Sequence, residues 1–508
     1  MDKTVIDGQL NYTINPNPGF VWGSSQTWWP WVNTTGNWFM NITAGNGSFE
    51  VSNFKIQNCY SSSGSSIAAC YSATIDNYAN LNATNMYFYH NSAGCGAGIR
   101  NGYKNFNPQA QLYVDNCTFD GNLKSTTTGN FGAAVYNNAT AIINNSFVID
   151  NIARWGSVTT DKTMYVYNTY FARNIGYDGS STYKNGPTIY ANTGSADFYN
   201  AYDTQGLLLH VENCTFEDNE HVDITYGKSS SRIIGNTFNH STGIYITAGV
   251  KENFTQTIAN NQFINMQPST LTTSMSSTTK PSWGIYNLGS IYLLIENNTI
   301  DVPDDQYGYG IYTANNATIR YNTLNNNIHI TGKNNTVENN TVNTSKDFAI
   351  QGTAAATNNS IINNTLYATC GDGDFAISVN ENNVVADNLP KVETYNITDE
   401  TYSQFFDENG VEIADKFQTG SKVNLIDEFY NKNFTFNTGK LTVVGVNAVL
   451  NNASISIIGD AQILLDNITI SNINVSNEYA VLFNSSAPSK MTRSKVIIDI
   501  DSKINAIV

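Results

Sequence analysis

The chain has 508 residues, of which 41% are hydrophobic and 13% charged, with a formal net charge of -16. That is enough apolar residue for a large core, and the acidic balance excludes a phosphate-tracking nucleic-acid binder and adhesion to anionic lipid. The low-hydrophobicity, high-charge signature of disorder is missing, and no apolar run approaches the roughly 18 residues of a membrane span.

The segment Met1 to Asp7 carries no secretory signal pattern, so the chain is expected to be either intracellular or a piece of a longer exported protein. Residues 1–48 hold five of the seven tryptophans: Trp22, Trp28, Trp29, Trp31 and Trp38. Two roles suit such a cluster. It can cap an open end of a repeat array, or Trp28, Trp29 and Trp31 can stack on sugar rings.

From residue 49 a repeat sets in. Val114-Asp115-Asn116-Cys117-Thr118-Phe119 recurs as Val211 to Phe216, Ile233 to Phe238, Ile295 to Ile300, Ile319 to Leu324, Val337 to Val342 and Ile361 to Leu366. Ile142 to Phe147 and Ile258 to Phe263 fit more loosely. The template is apolar, two variable, Asn or Cys, Thr, apolar. Successive slots lie 18 to 28 residues apart, with longer intervals at insertions. Such a unit has room for short strands and Asn/Gly corners but not for a helix. The period predicts an all-β, right-handed parallel β-helix, a solenoid of the pectin-lyase-like type, in which each turn stacks on the last. Leucine is too sparse for a leucine-rich-repeat horseshoe.

Stacking explains the slot. Asn145, Asn236, Asn261, Asn298, Asn322, Asn340 and Asn364 are predicted to form a buried amide ladder. Cys59, Cys117 and Cys214 are assigned to the same column as small corner fillers. The Phe, Ile or Leu two residues on should fill the tube. Cys70 and Cys95 are candidates for a disulfide across adjacent turns.

Two further marks accompany the repeat. One is Phe-x-x-Asn, at Phe88 to Asn91, Phe119 to Asn122, Phe171 to Asn174 and Phe216 to Asn219; the other is a small-small-aliphatic step, as in Gly96-Ala97-Gly98-Ile99 and Gly132-Ala133-Ala134-Val135. Later units carry Gly284-Ile285-Tyr286 and Gly310-Ile311-Tyr312. Over roughly residues 49–390 the chain resembles the repeats of polymorphic outer-membrane proteins and, more closely, adhesin-like surface proteins of methanogenic archaea. The resemblance implies that the Gly/Ala step lets one turn approach the next and that Phe-x-x-Asn makes a corner. It also implies an exported, anchored protein at the cell surface that contacts other cells, their proteins or glycans. Signal and anchor would then lie beyond the boundaries of this chain, and a monomer is expected.

Near residue 390 the period stops. Residues 391–440 include an acidic stretch, Thr401 to Gly410, and are predicted to be a junction and the most helical part. Residues 441–508 restart short strands as the beginning of a second β-helical segment.

Candidate sites are few. Glu217, Asp218, Glu220 and Asp223 are the best local set for Ca²⁺, with His221 and Arg232 nearby, as a β-helix polysaccharide lyase would need. Asp301, Asp304 and Asp305, and Asp372 and Asp374, form two more acidic loops. Solvated corners are the simpler reading of all three, and no carboxylate pair recurs on adjacent rungs as a hydrolase would require. Tyr177, Tyr183, Tyr190, Tyr307 and Tyr309 are candidates for a sugar-stacking lateral face. The expected function is therefore non-catalytic surface attachment, with a polysaccharide lyase or hydrolase and a purely structural stalk as alternatives. Roughly two dozen Asn-x-Ser/Thr sequons are present, a pattern that Asn-rich sequence also produces by chance.

Overall fold

A computed structural model describes residues 4–7, 40–42, 48–61, 74–102, 109–124, 131–153, 155–176, 187–191, 208–220, 222–227, 230–247, 255–267, 282–289, 292–303, 308–437, 439–471 and 479–497. The chain divides into two compact units, Met1–Thr336 and Val337–Val508. This division falls inside the stretch that the repeat marks as continuous to residue 390. The predicted cap, including Trp28, Trp29 and Trp31, lies almost wholly outside the described residues.

The first unit is a right-handed parallel β-helix. One rung consists of a strand on face one (Met40–Ile42), a strand on face two (Ser48–Ser52) and a strand on face three (Phe54–Gln57). The next rung repeats the order as Ile75–Asn77, Asn80–Thr84 and Tyr87–Tyr89, each strand pairing in parallel with the one before. A short fourth set, Ser92–Ala93, Leu123–Lys124, Ile152–Ala153 and Ile175–Gly176, follows face three in four rungs. Alternation along each strand sends apolar residues inward, so residues in register pile into columns about 4.8 Å apart.

Face three supplies the aromatic column. Phe88 and Phe119 stack with ring centroids 4.7 Å apart, and Phe171, Phe216, Phe238 and Phe263 continue at 4.7 to 4.9 Å. All six rings are fully buried. Face one must leave room for them. A Cβ on Gly98 would lie 2.7 Å from the Phe119 ring and 2.6 Å from the Ala134 carbonyl oxygen. Gly284 and Gly310 would likewise strike Ile300 and Leu324 at 2.6 Å. The small step therefore serves the neighbouring turn and, equally, the bulky residue across the tube.

The second unit opens with strands of the same pattern, Thr341–Asn343 pairing with Thr365–Ala368 and Ile350–Gly352 with Ile377–Ser378. The acidic stretch expected to be helical contains only a 3-10 turn, Tyr402–Gln404. Around it the chain forms strands, because Val423, Leu425, Phe434 and Phe436 alternate with polar residues and are fully buried. Thr394–Ile397 pairs in parallel with Lys422–Tyr430, that strand with Lys440–Asn451, and Lys440–Asn451 with Gln462–Asp466. Residues 391–440 are thus β coil joined to residues 441–471 through one apolar core.

Candidate functional site

The predicted ladder is a column of buried polar side chains. Asn236, Asn261 and Asn298 each donate the backbone N–H and the side-chain amide to the Oδ1 of the next Asn, at 2.9 to 3.0 Å. The acceptors are Asn261, Asn298 and Asn322. In the second unit Asn340 and Asn364 repeat the arrangement, and Asn388 donates its amide to the Asp374 carboxylate at 2.7 Å.

Two slots differ from expectation. Asn145 is exposed with φ 48°, and Ser146 holds the buried position, its Oγ accepting from the Cys117 N–H at 3.1 Å. The corner requires a left-handed residue just before the slot, and Asn accepts that conformation at least cost. Cys59 belongs to another column, its N–H donating to Asn91 Oδ1 at 3.0 Å. That column is built from Phe-x-x-Asn and, in one rung, Val148-x-x-Asn151: Asn91, Asn122, Asn151 and Asn174 donate in turn to the next member, ending at Asn219. A third ladder joins Asn77, Asn101, Asn137 and Thr160 on face one. Spacing alone concealed it, since insertions separate its members in sequence.

Cys59, Cys117, Cys214 and Cys370 are buried thiols. Burial pushes the Cys214 thiol up to about 12, which removes the reactive thiolate at neutral pH. Cys95 is disulfide-bonded; Cys70 lies outside the described residues.

The four residues proposed for Ca²⁺ are divided by the fold. Glu217 stands on the outer side of face three, where it accepts the Tyr170 hydroxyl proton and the Asn239 amide at 3.2 Å. Asp218 turns the corner and meets His240 Nδ1 at 2.5 Å. Asp223 is inside the tube, fully buried, accepting the Asn219 amide at 3.1 Å and the Gly243 N–H at 2.8 Å. Glu220 is half-buried beyond the corner. Among the described residues no group of three or more His, Cys, Asp or Glu could hold a metal ion, so this set does not fit Ca²⁺. Asp372 is not a solvated corner, being buried against Lys440, whereas Asp374 is exposed while it accepts the Asn388 amide at the end of the ladder.

Of the candidate tyrosines, Tyr177, Tyr183 and Tyr307 lie outside the described residues. Tyr190 and Tyr309 are on face one. Tyr190 packs 5.5 Å from Trp155, and Tyr309 lies 5.4 Å from Tyr312 and 5.0 Å from His329. Their neighbours Tyr136, Tyr245, Trp283 and Tyr286 are buried, so this stripe of rings is largely spent on packing.

Face three offers the more accessible aromatics. Tyr87, Tyr89 and Tyr170 are half-buried on its outer side, and Phe147 is 47% exposed, 6.1 Å edge-on from Tyr170. Lys55 Nζ lies 4.5 Å from the centre of the Tyr89 ring. Two carboxylates share the face. The Tyr87 hydroxyl donates to Asp120 at 2.6 Å, and Tyr170 donates to Glu217. Burial and the Asp120 bond raise the Tyr87 phenol, while the Glu217 bond, then burial, take Tyr170 up to about 12. Both phenols therefore remain donors at neutral pH, and each carboxylate keeps lone pairs for a further donor. The repeat template assigns Phe147 to the interior, and Glu217 falls in the Ca²⁺ set. Phe147 instead points outward, because Ser146 and not Asn145 fills the buried slot and shifts the register by one residue.

The family described as the right-handed beta helix region matches residues 200–366. A search of curated proteins finds no match. Among solved structures, the tailspike protein of E. coli bacteriophage HK620 in complex with a pentasaccharide is similar at 12% identity and a TM-score of 0.36, covering 89% of this chain and 74% of that one. A mutant of the same tailspike with a hexasaccharide is 13% identical, with a TM-score of 0.37 and coverage of 89% and 73%.

Proposed function

We propose that the protein is an extracellular surface adhesin, non-catalytic and monomeric, that holds glycans of other cells against face three. The observation that carries this reading is the set of accessible rings, Tyr87, Tyr89, Phe147 and Tyr170, interleaved with Asp120 and Glu217 on one flat parallel sheet. Rings present apolar faces to the C–H surface of a pyranose, and the carboxylates accept from its hydroxyls. The net charge of -16 favours a neutral glycan over a polyanionic one. Asp120 and Glu217 stand three rungs apart in register, about 14 Å at the usual strand spacing. Hydrolytic carboxyl pairs lie within about 9.5 Å, so this pair suits binding rather than bond cleavage. An evenly polar stalk would have no reason to keep Phe147 exposed.

A glycan array should identify a ligand, and titration with that ligand should show Phe147→Ala and Tyr170→Ala each weakening binding about tenfold, near 1.4 kcal/mol. Unchanged binding in both variants, or no binding to any neutral glycan, would overturn the assignment. Unsaturated products from uronic-acid polymers would make the protein an enzyme instead.

A further inference from the structure

The corner between faces two and three is a column of left-handed residues. It runs through Asn116, Asn145, Asn168, Asn213, Asn260 and Asn297 in the first unit, with φ between 47° and 57°, and the second unit has left-handed corners of the same kind at Asn339 and Asn363. Each is followed by the buried ladder residue and then by the first outward residue of face three. That third residue differs from rung to rung. It is Phe147 and Tyr170 in two rungs of the aromatic face, Gln262 after Asn260, and Thr118, Thr215, Thr299, Thr341 and Thr365 in the others. Where it is Thr, corner, ladder and strand spell Asn-x-Thr: Asn116-Cys117-Thr118, Asn213-Cys214-Thr215, Asn297-Asn298-Thr299, Asn339-Asn340-Thr341 and Asn363-Asn364-Thr365.

We propose that Asn213 and Asn297, and one of Asn339 and Asn363, are N-glycan acceptors, and that the aromatic rungs are kept free of attached glycan by the same position. Asn213, Asn297 and Asn363 are exposed, with the following side chain turned inward. A glycan on the corner amide therefore projects into solvent without disturbing the column. In the aromatic rungs the amides are used within the protein: Asn145 donates to Asp115 at 2.9 Å and Asn168 to Asn144 at 3.1 Å. Asn116 and Asn144 begin sequons too, but their amides are committed to Asn85 at 2.6 Å and to Asp115 at 3.0 Å, and both are expected to stay unmodified. Asn213 and Asn297 are three rungs apart, about 14 Å, which leaves space for two chains. Asn339 and Asn363 are on neighbouring rungs, about 4.8 Å apart, where only one fits.

The transfer needs an activated donor, a polyprenyl-phosphate-linked oligosaccharide. Its anomeric C–O bond breaks as the Asn Nδ2 forms the C–N bond; the amide gives up one proton, and the lipid phosphate leaves with the electron pair. Acceptor use requires export, so the inference rests on the surface location proposed above, whereas glycan binding is read by a separate assay.

Peptide mapping by mass spectrometry of protein purified from its native cells should find glycan on Asn213 and Asn297, on one member of the Asn339/Asn363 pair, and none on Asn116, Asn145 or Asn168. Thr215→Ala made in the same cells should remove the Asn213 glycan alone. Phe147→Thr, which completes Asn-Ser-Thr at Asn145, should leave Asn145 unmodified while its amide is held by Asp115, and Phe147→Thr combined with Asp115→Ala should add a glycan there. Unmodified Asn213 and Asn297 would overturn the inference even if array binding is retained; the sequons would then be only the by-product of a left-handed corner beside an outward Thr.

Discussion

Two stretches of this chain make parallel coils by different means. Between Asn91 and Asn322 the corners are polar inside, and buried amides pass hydrogen bonds from rung to rung beside a stack of phenylalanines. Between Thr394 and Ser471 the interior is mainly apolar, with a few buried polar side chains such as Ser421 and Asp466. Phe406 meets Phe434 and Phe436 edge-on at 5.3 and 5.5 Å, and the strands lengthen to the twelve residues of Lys440–Asn451. The contrast teaches what the ladder is for. An apolar coil holds itself by area burial, which is non-directional and tolerates changes of length and register. A ladder coil fixes each corner to one residue in the next rung, because a missing partner leaves buried amides unpaired. Ladders therefore hold register where insertions interrupt the repeat.

The sharpest way to break the comparison is Asn261→Ala. Its Oδ1 accepts from the Asn236 N–H and amide, and its Nδ2 donates to Asn298 and to the Ile233 carbonyl. Removing it orphans groups on two rungs, and the expected loss is about 4–6 kcal/mol in urea unfolding. Asn261→Leu should cost nearly as much despite filling the space. A Leu variant as stable as the parent would mean that the ladder is dispensable and that both regions obey the same rule. In the apolar coil, Phe406→Ala should cost somewhat less, about 3–5 kcal/mol, and be partly rescued by Phe406→Leu, because a cavity rather than an unpaired group is left behind.

The sequence announced the fold through its period, since recurrence in register is a direct statement that residues stack. Asn236, Asn261, Asn298, Asn322, Asn340 and Asn364 could be placed by counting. Asn145 could not, because Asn serves both the left-handed corner and the buried slot, and Asn144-Asn145-Ser146 fits the template in two registers. Cys59 went to the wrong column for the same reason: a buried Cys follows a left-handed Asn in both corners. The strands of residues 391–440 were hidden by acidic, Gly-containing loops around short apolar alternations. The aromatic face was the least legible part, since its rings differ from ordinary outward residues only in which rungs they occupy.

A smaller effect sharpens the comparison from inside the ladder. The Phe-x-x-Asn column ends where Asn219 donates to Asp223, a carboxyl group with no contact with solvent. Burial raises Asp223 from 3.8 to about 7. Because its folded value lies above the unfolded one, the native state holds a proton that the unfolded chain has already released between those pH values. The stability this supplies is complete below pH ~4 and is lost as pH rises through ~7. The fall should amount to roughly 2–4 kcal/mol between pH 4 and 8. Asp223→Asn keeps an acceptor for Asn219 or Gly243 without a charge, so its unfolding free energy should show a flatter profile, crossing above the parent at alkaline pH. Phe406→Ala, in the apolar coil, removes no titrating group and should shift the whole profile without changing its slope. If parent and Asp223→Asn run parallel from pH 4 to 8, the column ends on an ionised carboxylate, and the charge is held by its donors rather than expelled by burial.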